Sequence, residues 1–401
     1  MIAVNVTGTK RYTPEQLMAA TDLHLGDTAS EDSFERVVQI LGKSGVFTNV
    51  AFTYSYSSAG TKLELTVADN DRLVPAEFEN FVWLSDDQLQ SELRRRAPLF
   101  EGKIPIGGKL ADEVSDALQA ILLEKHIPGH ADYIRSGPEN GPVESVIFSV
   151  SNVSLKIRKV TVIGAGPDAL PQIQEKAQRM VDGDYSRVRV VAFAKKDLLP
   201  ILLARGYVKA SFAPPQVTVH EQTEDATLLD LALTVDPGPL YKVGHYEWSG
   251  NKAIPSDKLN PLLHLAANQP ANEVQLTDDL DQVRKLYGTR GYMRATVTPE
   301  PQFDAAAGTV SYRLAVQEGD VYHMGDLDIR GLDSRTTTEL HSKWELASGS
   351  AYDASYPKRF VDSAWKVLAS QVDWTVKIHE AVDDKEKTVD ISLVYGVQAS
   401  R

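Results

Sequence analysis

From Leu276 to Glu300 the chain reads LTDDLDQVRKLYGTRGYMRATVTPE. Leu280, Val283 and Tyr287 fall on one helical face. Thr277 suits an N-cap, with Asp278, Asp279 and Asp281 in the first turn and Arg284, Lys285 and Arg290 towards the other end, as the helix dipole favours. Gly291 then ends the helix in a left-handed conformation. Tyr292–Val297 follows with strand-forming residues. The pattern predicts helix, glycine, aromatic, strand.

The pattern returns. LGKSGVF (41–47) and LARGYV (203–208) place Gly45 and Gly206 where Gly291 stands. LLEKHI (122–127) matches LLARGY (202–207) and puts His126 in the glycine position. WKVLASQVDW (365–374) supplies a weaker fifth copy, with Val372 there. The anchors 45, 126, 206, 291 and 372 are separated by 81, 80, 85 and 81 residues. A fixed period of this size signals an array of like units.

In the first unit, Ile2, Val4 and Val6 alternate as in a strand that Gly8 ends. Thr13-Pro14-Glu15-Gln16 is a capping box opening a helix. A second helix, Glu31–Ser44, carries Phe34, Val37, Val38 and Leu41 on one face. Val50–Ser57 and Thr61–Ala68 are hairpin strands around Ser58-Ala59-Gly60. The order is β-α-α-β-β: two helices over a three-stranded mixed sheet, an α+β fold. The other units open with strands near Phe78–Trp83, Ile157–Ile163, Val243–Trp248 and Met324–Ile329. The strand-ending glycine returns as Gly164, Gly250 and Gly331, with Leu84 in its place in the second unit. Helices near Asp86–Arg96 and Ala111–Lys125, and strands near Ala131–Arg135 and Val143–Val150, complete that unit. The expected boundaries are 1–70, 71–151, 152–237, 238–319 and 320–401, referred to below as repeats one to five. Short polar linkers imply semi-rigid beads in an elongated array. Pro200 and Pro261 fall within helical patterns and predict a kink or early stop; Val372 cannot easily take positive φ, so its helix should end differently.

Composition narrows the function. Net charge is −13 over 401 residues, which disfavours general binding to nucleic acid or anionic lipid. No run approaches a membrane helix, and no secretory leader is visible before the first strand. There is no cysteine, hence no thiol nucleophile, and no G-x-S-x-G elbow. Histidines form no zinc spacing, and Asp278, Asp279 and Asp281 are explained by helix-terminal charge rather than metal. Gly164–Ala169 matches G-x-G-x-x-A, with Asp182 and Asp184 at ribose-binding distance. A nucleotide site needs a second parallel strand there, whereas Gln172–Val181 is helical in pattern, so a strand-to-helix turn is the preferred reading. No enzyme, cofactor or metal is expected.

This module resembles the polypeptide-transport-associated (POTRA) domain, and Gly26–Asp69 is similar to the first such domain of BamA-type outer-membrane assembly factors. The resemblance implies a periplasmic scaffold that binds unfolded outer-membrane β-barrel proteins and accessory lipoproteins. It would deliver clients to a barrel attached C-terminally and absent from this sequence. A stand-alone cell-envelope scaffold of the same domains is the alternative.

The resemblance also implies that the first hairpin strand lies at a sheet edge, open to β-augmentation by an extended peptide. Pro214 and Pro215 blunt that edge in repeat three, and Pro299 and Pro301 in repeat four. Repeat one keeps a proline-free edge over Val50, Ala51, Phe52, Thr53, Tyr54, Ser55 and Tyr56; repeat five keeps one over Trp374, Thr375, Val376, Lys377 and Ile378. These twelve residues are the expected peptide-binding site.

Overall fold

The computed structural model describes residues 1–223, 225–365, 368 and 373–397. Its contacts divide into two units, residues 1–196 with 212–235, and residues 197–211 with 236–401.

The order β-α-α-β-β runs through the chain. Repeat one holds β1 (Ala3–Thr7), α1 (Pro14–Ala20), α2 (Glu31–Ser44), β2 (Phe47–Ser57) and β3 (Gly60–Asp69). Thr13 caps α1 in the expected box with Gln16, and Ser30 caps α2. Repeat two holds β4 (Leu73–Phe78), α3 (Asp86–Arg96), a short added strand β5 (Lys103–Pro105), α4 (Leu110–Glu124), β6 (His130–Ser136) and β7 (Ser145–Ser151). Repeat three holds β8 (Leu155–Ile163), α5 (Leu170–Ala177), α6 (Arg187–Phe193), α7 (Leu199–Leu203), β9 (Ser211–Phe212), β10 (Gln216–Gln222) and β11 (Thr227–Asp236). Repeat four holds β12 (Lys242–Ser249), α8 (Ser256–Leu259), α9 (Glu273–Gly288), β13 (Thr296–Asp304) and β14 (Thr309–Gln317). Repeat five holds β15 (His323–Arg330), α10 (Ser334–Lys343), α11 (Tyr356–Ala364), β16 (Trp374–Asp383) and β17 (Thr388–Val397).

Each sheet has the same logic. The last strand is central, the first strand runs parallel to it, and the hairpin partner lies antiparallel at the edge: β1-β3-β2, β12-β14-β13 and β15-β17-β16. Repeat two adds β5 outside β4, and repeat three pairs both β9 and β10 with β11. The central strands alternate apolar and polar, and their apolar faces are buried: Leu63, Leu65 and Val67 on β3, Val389, Ile391, Leu393 and Tyr395 on β17. That alternation is what a sheet covered on one face by helices requires.

Where the first strand leaves the sheet, Gly8, Gly164, Gly250 and Gly331 all take positive φ. A Cβ at these positions would sit 2.0–2.2 Å from the carbonyl oxygen of Val67, Val235, Val316 or Tyr395, so glycine alone fits. Repeat two differs from expectation. Its first strand is β4, ending at Phe78, so Leu84 does not replace the glycine. Asn80 does: its side-chain amide donates to the Val150 carbonyl (2.9 Å) and its Oδ1 accepts from the Val150 N–H (2.7 Å). The aromatic run Phe78–Trp83 imitates a strand in sequence, yet only its first residue is in one.

His126 takes φ 53°, as the glycine position demands. Ile127 N–H donates to Leu122 O and His126 N–H to Leu123 O, the same pair of bonds that Tyr207 and Gly206 make to Leu202 and Leu203. Val372 lies outside the described residues. Pro200 follows a π-helical turn, Ala194–Leu198, and Pro261 lies in a 3-10 turn that ends α8 after four residues, so both prolines interrupt helices. The start of α9 differs from expectation. Asn272 is its cap, accepting from Gln275 N–H (2.9 Å), and Thr277 lies one turn inside, donating to Glu273 O (2.8 Å). An equally good cap one turn upstream lengthens the helix and leaves the aspartates beyond the first turn.

Candidate peptide-binding edge strands

Strand β2 is the outer strand of its sheet. Ile2 N–H donates to the Thr61 carbonyl (2.8 Å), so Thr61 and every second residue of β3 face β1. Lys62, Glu64 and Thr66 therefore face β2, and their partners Ser55, Thr53 and Ala51 bond inward. The N–H and C=O groups of Val50, Phe52, Tyr54 and Tyr56 point away from the sheet, without partners among the described residues. The same four side chains lie on the helix face. Phe52 and Tyr54 pack on Phe34 with centroids 5.8 and 5.4 Å away, and Tyr56 contacts Tyr54 at 5.3 Å. Tyr54 is 36% exposed and Tyr56 68%, so the aromatic row emerges from the core along the open edge.

Strand β16 repeats this geometry. His323 N–H donates to Lys387 O (2.8 Å), which turns Thr388 and alternate residues of β17 towards β16. Thr375 and Lys377, paired with Gly396 and Val394, bond inward, and Val376 and Ile378 face out. All twelve expected residues thus lie on edge strands. The structure corrects the expectation in one respect: Ala51, Thr53, Ser55, Thr375 and Lys377 use their backbone inside the sheet, so only alternate positions can meet an incoming strand.

The remaining edges are closed by three devices. In β13, Lys242 N–H to Gly308 O (3.0 Å) fixes the alternation, and Pro299 and Pro301, opposite Leu314 and Tyr312, occupy outward positions. The ladder stays intact while the edge loses two donors. In repeat three the prolines are adjacent, so one must face inward, and the strand breaks into β9 and β10 around Pro214-Pro215. The edge of β6 has no proline and is closed by side chains. Ala131 faces outward, but its N–H donates to Gln119 Oε1 of α4 (2.9 Å). Its carbonyl accepts from Ser115 Oγ (3.2 Å), and Tyr133 N–H donates to Asp132 Oδ1 (2.7 Å). The signal for this cover in the sequence is the pair Ser115 and Gln119, four apart on one helix face.

The glycine-rich turn and the buried acids have structural roles. Gly164–Ala169 links β8 to α5, and the strand parallel to β8 is β11, far along the chain; Asp184 pairs with Lys156 at 2.6 Å. Asp279 is buried at 1% exposure and accepts from His264 N–H (2.8 Å) and Gln275 Nε2 (2.8 Å), with His264 Nδ1 at 2.6 Å. Beside it, burial and the neighbouring Asp279 and Glu273 carboxylates push the Tyr246 phenol up to about 12. No group of three or more potential metal ligands occurs among the described residues.

Residues 241–319, repeat four, match the POTRA family model, described as a surface antigen variable number repeat. The other four repeats share the β-α-α-β-β order of this matched repeat. It is 18% identical over 369 residues to the outer membrane protein assembly factor BamA of Nitratidesulfovibrio vulgaris, covering 89% of this chain and 46% of that protein. It is 21% identical over 140 residues to the BamA of Neisseria meningitidis, covering 35% and 18%. The crystal structure of POTRA domains 3–5 of Haemophilus influenzae BamA is similar at 21% identity and TM-score 0.46, covering 60% of this chain and 95% of that one. The chain spans less than half the length of the curated relatives it matches. Those relatives are named as assembly factors. No helix among the described residues is long and apolar enough to cross a membrane.

Proposed function

We propose that this POTRA array is a periplasmic, non-enzymatic scaffold. It binds unfolded outer-membrane β-barrel proteins by β-augmentation at β2 and β16, docks accessory lipoproteins, and passes clients to an outer-membrane β-barrel. The names of the relatives support the process, and the boundaries proposed for the five domains follow the recurring sheets. The observation that carries the binding mode is the proline-free row of outward backbone groups at Val50, Phe52, Tyr54 and Tyr56, beside a half-exposed aromatic face. A barrel strand alternates apolar and polar side chains and fits such an edge in one register.

The test compares Tyr54→Pro with Tyr54→Ala in the full chain. Both remove the ring; only proline removes the outward N–H. A ten-residue alternating peptide from a barrel strand should bind the proline variant about fivefold more weakly, as one hydrogen bond of about 1 kcal/mol implies. Equal affinity of the two variants rules out augmentation at β2.

A further inference from the structure

Helices α2, α6 and α9 each start at a side-chain cap, Ser30, Ser186 and Asn272. Counted from that cap, the fourth residue is buried in all three: Phe34, Val190 and Leu276. The fifth and sixth are exposed: Glu35 and Arg36 in α2, Val191 and Ala192 in α6, Thr277 and Asp278 in α9. Of the three, only α6 is apolar there. Its sequence, RVRVVAF, carries apolar residues on both faces, and a helix of that kind is normally covered on both. Val188 is 53% exposed and Val191 47%. Valine is also a weak helix former, so local helix stability does not account for these two side chains.

The two valines form one wall of a recess of about 560 Å³ that lies within the first of the two units. Ala76, Phe78 and Ala192 add apolar surface, while Glu77, Glu79 and Asp86 bring three carboxylates against one guanidinium, that of Arg187. The guanidinium is already engaged, with Nη2 at 2.9 Å from both Asp86 oxygens. Glu79 accepts from neutral donors, the Val188 N–H (3.2 Å) and the Ser186 hydroxyl. Glu77 is exposed and has no ion pair among the described residues. Two uncompensated carboxylates thus stand beside two exposed valines.

We propose that this recess docks a short amphipathic helix of a partner protein, apolar on one face and basic on the other. The partner's apolar side chains cover Val188 and Val191, whose three-residue spacing matches a facing helix, and its lysines or arginines reach Glu77 and Glu79. The acidic rim disfavours an anionic lipid surface as the occupant. It equally disfavours a second copy of this chain, whose net charge is −13. The inference does not rest on the binding mode proposed for β2 and β16.

The probe is a fluorescent, helix-forming twelve-residue peptide of leucine and lysine. It is titrated into the full chain beside its leucine–glutamate counterpart and followed by anisotropy, with folding of each variant checked by urea midpoint. The lysine peptide should bind, and the glutamate peptide about tenfold more weakly. Val188→Ser with Val191→Ser should weaken the lysine peptide about tenfold, and Glu77→Lys about threefold. Glu139→Lys, the same charge change on the exposed hairpin loop of repeat two, should leave its affinity unchanged, as should Tyr54→Pro at the β2 edge. Equal binding of the two peptides, no binding of either, or unchanged affinity of the double serine variant overturns the proposal. Equal weakening by Glu139→Lys and Glu77→Lys also overturns it, because net charge is then the cause. If the chain alone sediments as a dimer that the double serine variant dissociates, the occupant is a second copy and the proposal fails. Binding lost through Tyr54→Pro but not through the serines places the peptide on β2, which rejects this inference and sustains the function proposed above.

Discussion

Strands β2 and β13 hold equivalent places in their sheets, yet one is an open edge and the other is closed. Both pair with the central strand, β2 over ten register positions with one shift at Thr48 and β13 over nine without a shift. The difference lies in which alternate positions carry proline. Pro299 and Pro301 stand where the N–H would point outward, so β13 loses two of its four outer donors, the adjacent pair at its middle, and keeps its ladder. Edge reactivity is thus set separately from strand stability, by the parity of a residue rather than by the composition of the strand.

The largest expected effect tests that parity directly. Ser55 bonds inward to Lys62, so Ser55→Pro breaks the ladder of β2 and should cost about 2–3 kcal/mol, read as a lower urea midpoint. Tyr54→Pro should differ from Tyr54→Ala by less than half of that. If both prolines destabilise equally, the assignment of outward positions is wrong. Next, Pro299→Thr with Pro301→Thr restores two donors to β13. It should give that edge a gain of about tenfold in affinity for alternating peptides, from about 1 kcal/mol per bond less the loss on ordering the peptide.

A smaller change is expected in repeat two. Gln119→Leu removes the acceptor for the outward Ala131 N–H, and hydrogen exchange at that amide should accelerate about fivefold. The smallest effect concerns what lies beneath β13. Burial raises the pKa of Glu273 above the usual carboxylate value, partly offset by the Tyr312 hydroxyl donating to it at 2.6 Å. A raised folded-state value means the folded chain holds this proton more tightly than the unfolded one. Its ionised form therefore weakens the fold above that value, and the penalty disappears as pH falls to the unfolded value. Glu273→Gln should raise the urea midpoint slightly at pH 7 and not at pH 4.

The array is legible in the sequence because each repeat must end its helices and turn its strands by the same local means. Gly206 and Gly291 set the period, and spacing alone finds His126 although it breaks the glycine rule. Helix starts are less secure where two caps compete a turn apart, as Asn272 and Thr277 do. The first strand of repeat two is misplaced from sequence because Asn80 does with a side chain what glycine does elsewhere with backbone, and no local pattern announces that. At the candidate site the edge strands are visible from hairpins and prolines. Their outward parity is not, since it depends on how β1 and β15 meet strands some sixty residues away. The cover on β6 also joins residues of different elements, Ser115 and Gln119 of α4 with Ala131.

The glycines that end helices have one further role. Gly206 O accepts from Tyr241 N–H (2.9 Å), and Gly291 O from Tyr322 N–H (2.8 Å), while Tyr241 and Tyr322 lie one residue before β12 and β15. Each helix terminus is therefore clipped to the entry of the following strand through the residue that cannot be replaced without strain. Under tension, as when a bound segment is drawn away, load entering at Tyr241 or Tyr322 reaches the preceding helix through this clip as well as along the covalent chain. Gly206→Ala or Gly291→Ala should lower the force at which the joint yields in a pulling experiment, making these two glycines mechanical fuses between neighbouring repeats.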